Sequence, residues 1–133
     1  MTPITSYYLE RVLTPEGLRD AVTRVVRVLR EDVKLNTFDA IAFRGVSGAL
    51  VAPAVAVAVG KPLIVVRKSE ASHGRPVEGA ITAKRYVIVD DFVGAGGTVR
   101  AITDALDGTL RGVVTYNGNS ADVDHSSWLG WEA

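Results

Sequence analysis

The stretch VIVDDFVGAGGT, residues 87–98, decides how the rest of the chain is read. Val87, Ile88 and Val89 are apolar at consecutive positions, so both faces of this segment are expected to be buried, as in a strand inside a parallel sheet. Asp90 and Asp91 then set two like charges side by side where the strand ends. Gly94, Ala95, Gly96 and Gly97 follow as a loop with almost no side chains. Thr98 to Leu106 reads as a helix, stopped at Asp107-Gly108. A helix start offers unpaired N–H groups and a dipole that favour an anion. The small residues let the backbone wrap a phosphate closely, and the Thr98 hydroxyl adds a donor. The two carboxylates cannot serve that phosphate. They need donors or a cation, either the vicinal hydroxyls of a ribose or magnesium. Phosphate on one side and diol on the other describe a ribose 5-phosphate.

Two other glycine motifs are excluded. The dinucleotide fingerprint G-x-G-x-x-G has Val99 where its last glycine belongs, and the P-loop needs a lysine that this loop lacks.

Working outward, the same logic recurs. Thr14 is a cap, Pro15 a first helical residue, and Leu18, Val22, Val25 and Leu29 recur at helical spacing. Asp39 to Phe43, Pro62 to Val66, Tyr86 to Val89 and Leu110 to Tyr116 are short apolar runs, read as strands. Arg44 to Gly48 reads as a loop, and Ala49 to Val59 as a buried helix with Pro53 near its start and Gly60 at its stop. Arg67 to Lys84 has no periodicity and reads as a long, functional loop. Asn117 to Ala133 has no clear period. Strands alternating with helices predict an α/β fold, a parallel sheet of at least four strands flanked by helices, with ligands at the strands' carboxyl ends.

The motif at 87–98 resembles the phosphoribosyl pyrophosphate (PRPP) motif of the type I phosphoribosyltransferases. AIAFRGVSGALVAPAVAVAVGKPLIVVRK, residues 40–68, is similar to the pyrophosphate-loop region of adenine phosphoribosyltransferases. RKSEASHG, residues 67–74, is similar to the mobile catalytic loop of orotate phosphoribosyltransferases. The resemblance implies a single phosphoribosyltransferase-like domain over residues 1–133 with a reduced hood. It implies transfer of ribose 5-phosphate from PRPP to a nucleobase, with release of pyrophosphate. Gly94, Ala95, Gly96, Gly97 and Thr98 would hold the 5-phosphate. Asp90 and Asp91 would hold the ribose hydroxyls and, as candidate metal residues, magnesium. Ala42, Phe43, Arg44 and Gly45, a loop that in the family often has a non-proline cis peptide, would take the pyrophosphate with Arg67 and Lys68. Lys68 and His73 would act in catalysis as the loop closes, and Trp128 or Trp131 would stack on the base. A homodimer is implied as well.

Two departures bear on the base. Ala71 stands where the orotate enzymes carry a second lysine, and Gly94 where the 6-oxopurine enzymes carry an aspartate, so both substrate classes are disfavoured. The competing reading is a non-catalytic PRPP-binding regulator or a degenerate paralogue, favoured by the short hood and Ala71.

The composition is that of an ordinary soluble globular protein. The chain of 133 residues is 47% apolar and 23% charged, with fifteen basic against fifteen acidic residues. A general nucleic-acid or anionic-membrane surface is therefore not expected. With no cysteine, disulfides and thiolate metal sites are excluded. The first residues lack a basic stretch followed by an apolar one, and the run from Ala49 to Val59 is too short to span a bilayer. A cytoplasmic protein is expected.

Overall fold

Thr14 starts the first helix as the sequence requires. Its backbone is extended and its hydroxyl accepts from the Gly17 amide at 3.1 Å, with Pro15 at the first helical position. The computed structural model describes residues 10–68, 76–91 and 97–116. Within them, helix α1 spans Pro15–Val28 and runs on into one wider turn, Leu29–Val33. Strand β1 is Ala40–Phe43, helix α2 Gly45–Val59, and β2 Leu63–Val66. Then come β3 at Val77–Gly79, β4 at Arg85–Asp90, α3 at Gly97–Ala105 and β5 at Thr109–Thr115.

The strands form one sheet in the order β3-β2-β1-β4-β5, parallel except for β3, which pairs antiparallel with β2. Each central strand feeds both faces. Ile41, Phe43, Val87 and Val89 join α1 and α2 in one apolar cluster, and Ala40, Ala42, Tyr86 and Ile88 join Val99, Ile102 and Leu106 near α3 in another. Burial on both faces is why β1 is apolar throughout and β4 from Tyr86 to Val89. Full burial of one such side chain stabilises by about 1.5–3 kcal/mol.

Three expectations are corrected. Helix α2 begins at Gly45, not Ala49, so Arg44 is its cap and Pro53 lies inside it. Pro53 is on the exposed side, where water can satisfy the carbonyl left without an amide partner. The stretch from Arg67 to Lys84 contains an edge strand, too short for its period to be read. There is no cis peptide among the described residues; Gly45 instead takes a φ of 85°. No helix among them is long and apolar enough to cross a membrane.

Candidate functional site

The chain leaves β1 through α2 to reach β2 on one side, and leaves β4 through α3 to reach β5 on the other. β1 and β4 are neighbours, so the crevice between their carboxyl ends is the topological switch point where open α/β sheets bind ligands. Asp90 and Asp91 stand at one side of that crevice, and the first turn of α2 at the other.

Asp90 is 4% exposed and Asp91 7% exposed. Asp90 Oδ1 accepts from the Ser47 hydroxyl at 2.9 Å and from the Asp91 amide at 2.9 Å. Burial, helped by the side chain and charge of Asp91, pushes the Asp90 carboxyl up to about 7, against the Asp91 amide and the Ser47 hydroxyl, which favour its charged form. The Tyr116 phenol is raised too, by burial and then by the charges of Asp91 and Asp90, so it remains a donor at working pH.

The titration has a consequence for stability. Asp90 titrates near 3.8 when unfolded and near 7 when folded. Between those values the native state keeps a proton that the unfolded chain has released. The stabilising contribution is therefore complete below about pH 3.8 and is lost as pH rises through 7. Urea unfolding without divalent cations should show the folded state weakened from pH 5 to pH 8, on the order of a few kcal/mol, and less so in Asp90→Asn. An identical pH trend in both proteins would contradict it.

Across the crevice, Gly45 opens α2 with a left-handed backbone, and a Cβ there would lie 3.1 Å from Lys68 Cδ. The stem of Lys68, from the end of β2, thus lies along the start of α2. Arg44 Nη2 donates to the Lys68 carbonyl at 3.2 Å, whereas Arg44 Nε is buried and has no acceptor among the described residues. An open cleft of about 380 Å³ lies here, lined by Phe43, Gly45, Val46, Ala49, Arg67 and Lys68 among others. Cationic side chains, a helix amino terminus and a buried N–H lacking an acceptor make this half suited to an anion. Arg67 is drawn partly aside: its Nη2 pairs with Glu78 Oε1 at 2.8 Å.

Phe43, Arg44, Gly45, Arg67 and Lys68 thus converge at one end of the sheet, with Asp90 and Asp91 across the crevice. Gly97 and Thr98 are the first residues of α3. Gly94, Ala95, Gly96, His73, Trp128 and Trp131 lie outside the described residues. Sequence reasoning missed Ser47 and Tyr116. The signal for Ser47 was available, since it is the one polar side chain in α2; Tyr116 looked like the last residue of a strand.

Gly97 separates a structural from a ligand-dictated glycine. A Cβ there would meet no described atom within 4 Å. Gly97→Ala should leave stability unchanged or raised by up to about 1 kcal/mol. It should nevertheless weaken ribose 5-phosphate binding, measured by calorimetry, if the backbone closes on a phosphate there. Unchanged affinity would remove Gly97 from the cradle.

An α/β sheet with a paired-acid strand end facing an anion-suited helix start is chemically suited to a phosphorylated ligand. No family model matches the chain. It is 32% identical over 115 residues to an HGPRTase-like protein of Halobacterium salinarum, covering 74% of this chain and 58% of that protein. It is 32% identical over 95 residues to an orotate phosphoribosyltransferase of Cenarchaeum symbiosum, covering 69% and 48%. Among solved structures, the Saccharomyces cerevisiae adenine phosphoribosyltransferase shares the fold with a TM-score of 0.63 at 23% identity, covering 77% of this chain and 68% of that one. The chain is thus related to the type I phosphoribosyltransferases and shares their fold. It spans little more than half the length of the curated relatives it matches first. Their names refer to more than one base, so relatedness does not choose among bases.

Proposed function

We propose that the protein moves ribose 5-phosphate from PRPP to a nucleobase nitrogen, with pyrophosphate as the leaving group. The observation that carries this reading is the facing of two half-sites across the β1/β4 crevice: the buried acids Asp90 and Asp91, and the anion-suited group of Arg44, Gly45 and Lys68. Residues Gly94 to Thr98 take the 5-phosphate, Asp90 and Asp91 the ribose hydroxyls, and Arg44, Gly45, Arg67 and Lys68 the pyrophosphate, with His73 closing over it. Trp128 or Trp131 stacks on the base. No protein nucleophile is required, because positioning and stabilisation of the leaving charge lower the barrier.

The acid pair suits magnesium. Among the described residues no three His, Cys, Asp or Glu side chains form a metal cage. Magnesium is commonly held by one or two carboxylates, completed by water and substrate phosphates. The burial that raises Asp90 is a cost that a cation would offset. Asp90 and Asp91 would hold the ion, which when bound supplies charge neutralisation for the departing pyrophosphate.

The reading extends to a single domain acting in the cytoplasm as a homodimer. Support for the dimer comes from α2, which carries no charged residue and leaves Val57 86% exposed on its outer side. Sedimentation of the full chain tests it; a monomer at all concentrations would refute it.

The decisive test is pyrophosphate release from PRPP and magnesium across a panel of nucleobases. Turnover with any base supports the enzyme. Tight PRPP binding with no turnover would favour the non-catalytic regulator, the second reading, which Ala71 in place of the orotate enzymes' second lysine supports. Lys68→Ala should slow turnover more than it weakens PRPP binding, because charge on the leaving group grows in the transition state. An equal loss in both would make Lys68 a ground-state binding residue.

A further inference from the structure

Helix α2 has 15 residues and a single polar side chain, Ser47, in its first turn. A serine at such a position commonly bonds to nearby backbone. Ser47 instead donates to Asp90 Oδ1 at 2.9 Å, across 43 positions of sequence. Its carbonyl accepts a second long-range bond, 2.6 Å from the hydroxyl of Tyr116, 69 positions away. Tyr116 is itself 1% exposed and tied on both sides of its backbone: its amide donates to the Asp90 carbonyl at 3.2 Å, and its carbonyl accepts from Arg24 Nη2 at 2.9 Å. Beside Ser47, Gly48 lets the turn press onto the sheet; a Cβ there would come 2.7 Å from Phe43 Cβ.

Resting on the reading of the site given above, we infer that Ser47 and Tyr116 are positioning residues, which hold the first turn of α2 and Asp90 in one frame so that the two halves of PRPP are bound as a unit. Neither touches the reacting atoms in this assignment. Ser47 joins the acid half to the helix whose start bears the anion half. Tyr116 fixes the carbonyl of Ser47 to the end of β5, so the turn cannot pivot away from Asp90. A small misplacement between the halves would weaken the alignment on which transfer depends. Ligands that meet through one shared element are expected to be energetically coupled.

The test uses the full chain and the separate halves as probes. Pyrophosphate is titrated by calorimetry in magnesium buffer, with and without saturating ribose 5-phosphate. The wild-type chain should bind pyrophosphate about 5- to 20-fold differently in the two conditions, within the usual range of coupling between sites. Ser47→Ala and Tyr116→Phe should each bring that ratio close to one, and Ser47→Thr should restore it. A merely structural role would lower the melting temperature and leave the ratio intact, which would overturn the inference. Two ligands bound by wild type without coupling would also overturn it, while leaving the site reading in place. Failure of wild type to bind either ligand would overturn the site reading and this inference with it. Should Ser47→Ala not fold, Tyr116→Phe, which removes one oxygen, carries the same test.

Discussion

Replacing Asp90 and Asp91 together by asparagine is expected to remove PRPP binding, by at least about a hundredfold, while the protein stays folded and becomes more stable at pH 8. The binding loss follows from charge-assisted hydrogen bonds, worth roughly 1.5–3 kcal/mol each, of which two or more would be lost. The gain in stability follows from burial. Asp90 is 4% exposed, and burial with Asp91 beside it pushes its carboxyl up to about 7. At pH 8 the native state must therefore hold a desolvated negative charge, which asparagine does not carry. The asparagine carbonyl can still accept from the Ser47 hydroxyl and the residue 91 amide, as Asp90 Oδ1 does. Calorimetry with magnesium and PRPP, beside thermal melts at pH 8, measures both effects. Unchanged affinity would take the pair out of the site. A large fall in melting temperature would make the pair a structural element.

The second large effect is expected from Gly48→Ala. The new methyl would lie 2.7 Å from Phe43 Cβ and 3.2 Å from the Val89 carbonyl oxygen. Neither neighbour is the free end of a flexible chain: one is the root of a buried side chain, the other backbone of β4. The first turn of α2 must then lift from the sheet. Overpacking of this kind costs about 1–3 kcal/mol. The displacement would also carry Ser47 away from Asp90 and Gly45 away from Lys68, so PRPP affinity should fall beyond what the lost stability explains. Denaturant unfolding gives the first quantity. PRPP titration of the folded fraction gives the second. Wild-type stability in this variant would mean that the helix does not approach the sheet as closely as described.

The strands were legible because a doubly covered parallel strand has to be apolar where it is covered; β1 is so throughout and β4 from Tyr86 to Val89, and so their places could be read to within a residue or two. The capped start of α1 and the left-handed stop of α2 at Gly60 were legible because each depends on one residue's own chemistry. So was the pairing of an acidic strand end with a glycine loop, since local order alone sets them side by side. The edge strand β3 was not, because its three residues owe their conformation to pairing with β2. Nor was the start of α2. Arg44-Gly45-Val46-Ser47-Gly48 has the composition of a loop, and it winds into helix because Gly48 permits close packing on Phe43 and Val89.

By itself, then, the sequence determined the fold class, the likeness to the phosphoribosyltransferases and the two motifs proposed to meet the ligand, all of which rest on neighbours along the chain. Only the tertiary structure decided that the first turn of α2 is bound to the acid pair. Ser47, Asp90 and Tyr116 are separated by 43 and 69 positions from Ser47 outward, and no local pattern encodes a contact across such distances. The contact exists because α2 crosses the sheet next to the β1/β4 switch point, where the ends of β4 and β5 come within reach of one hydroxyl and one carbonyl.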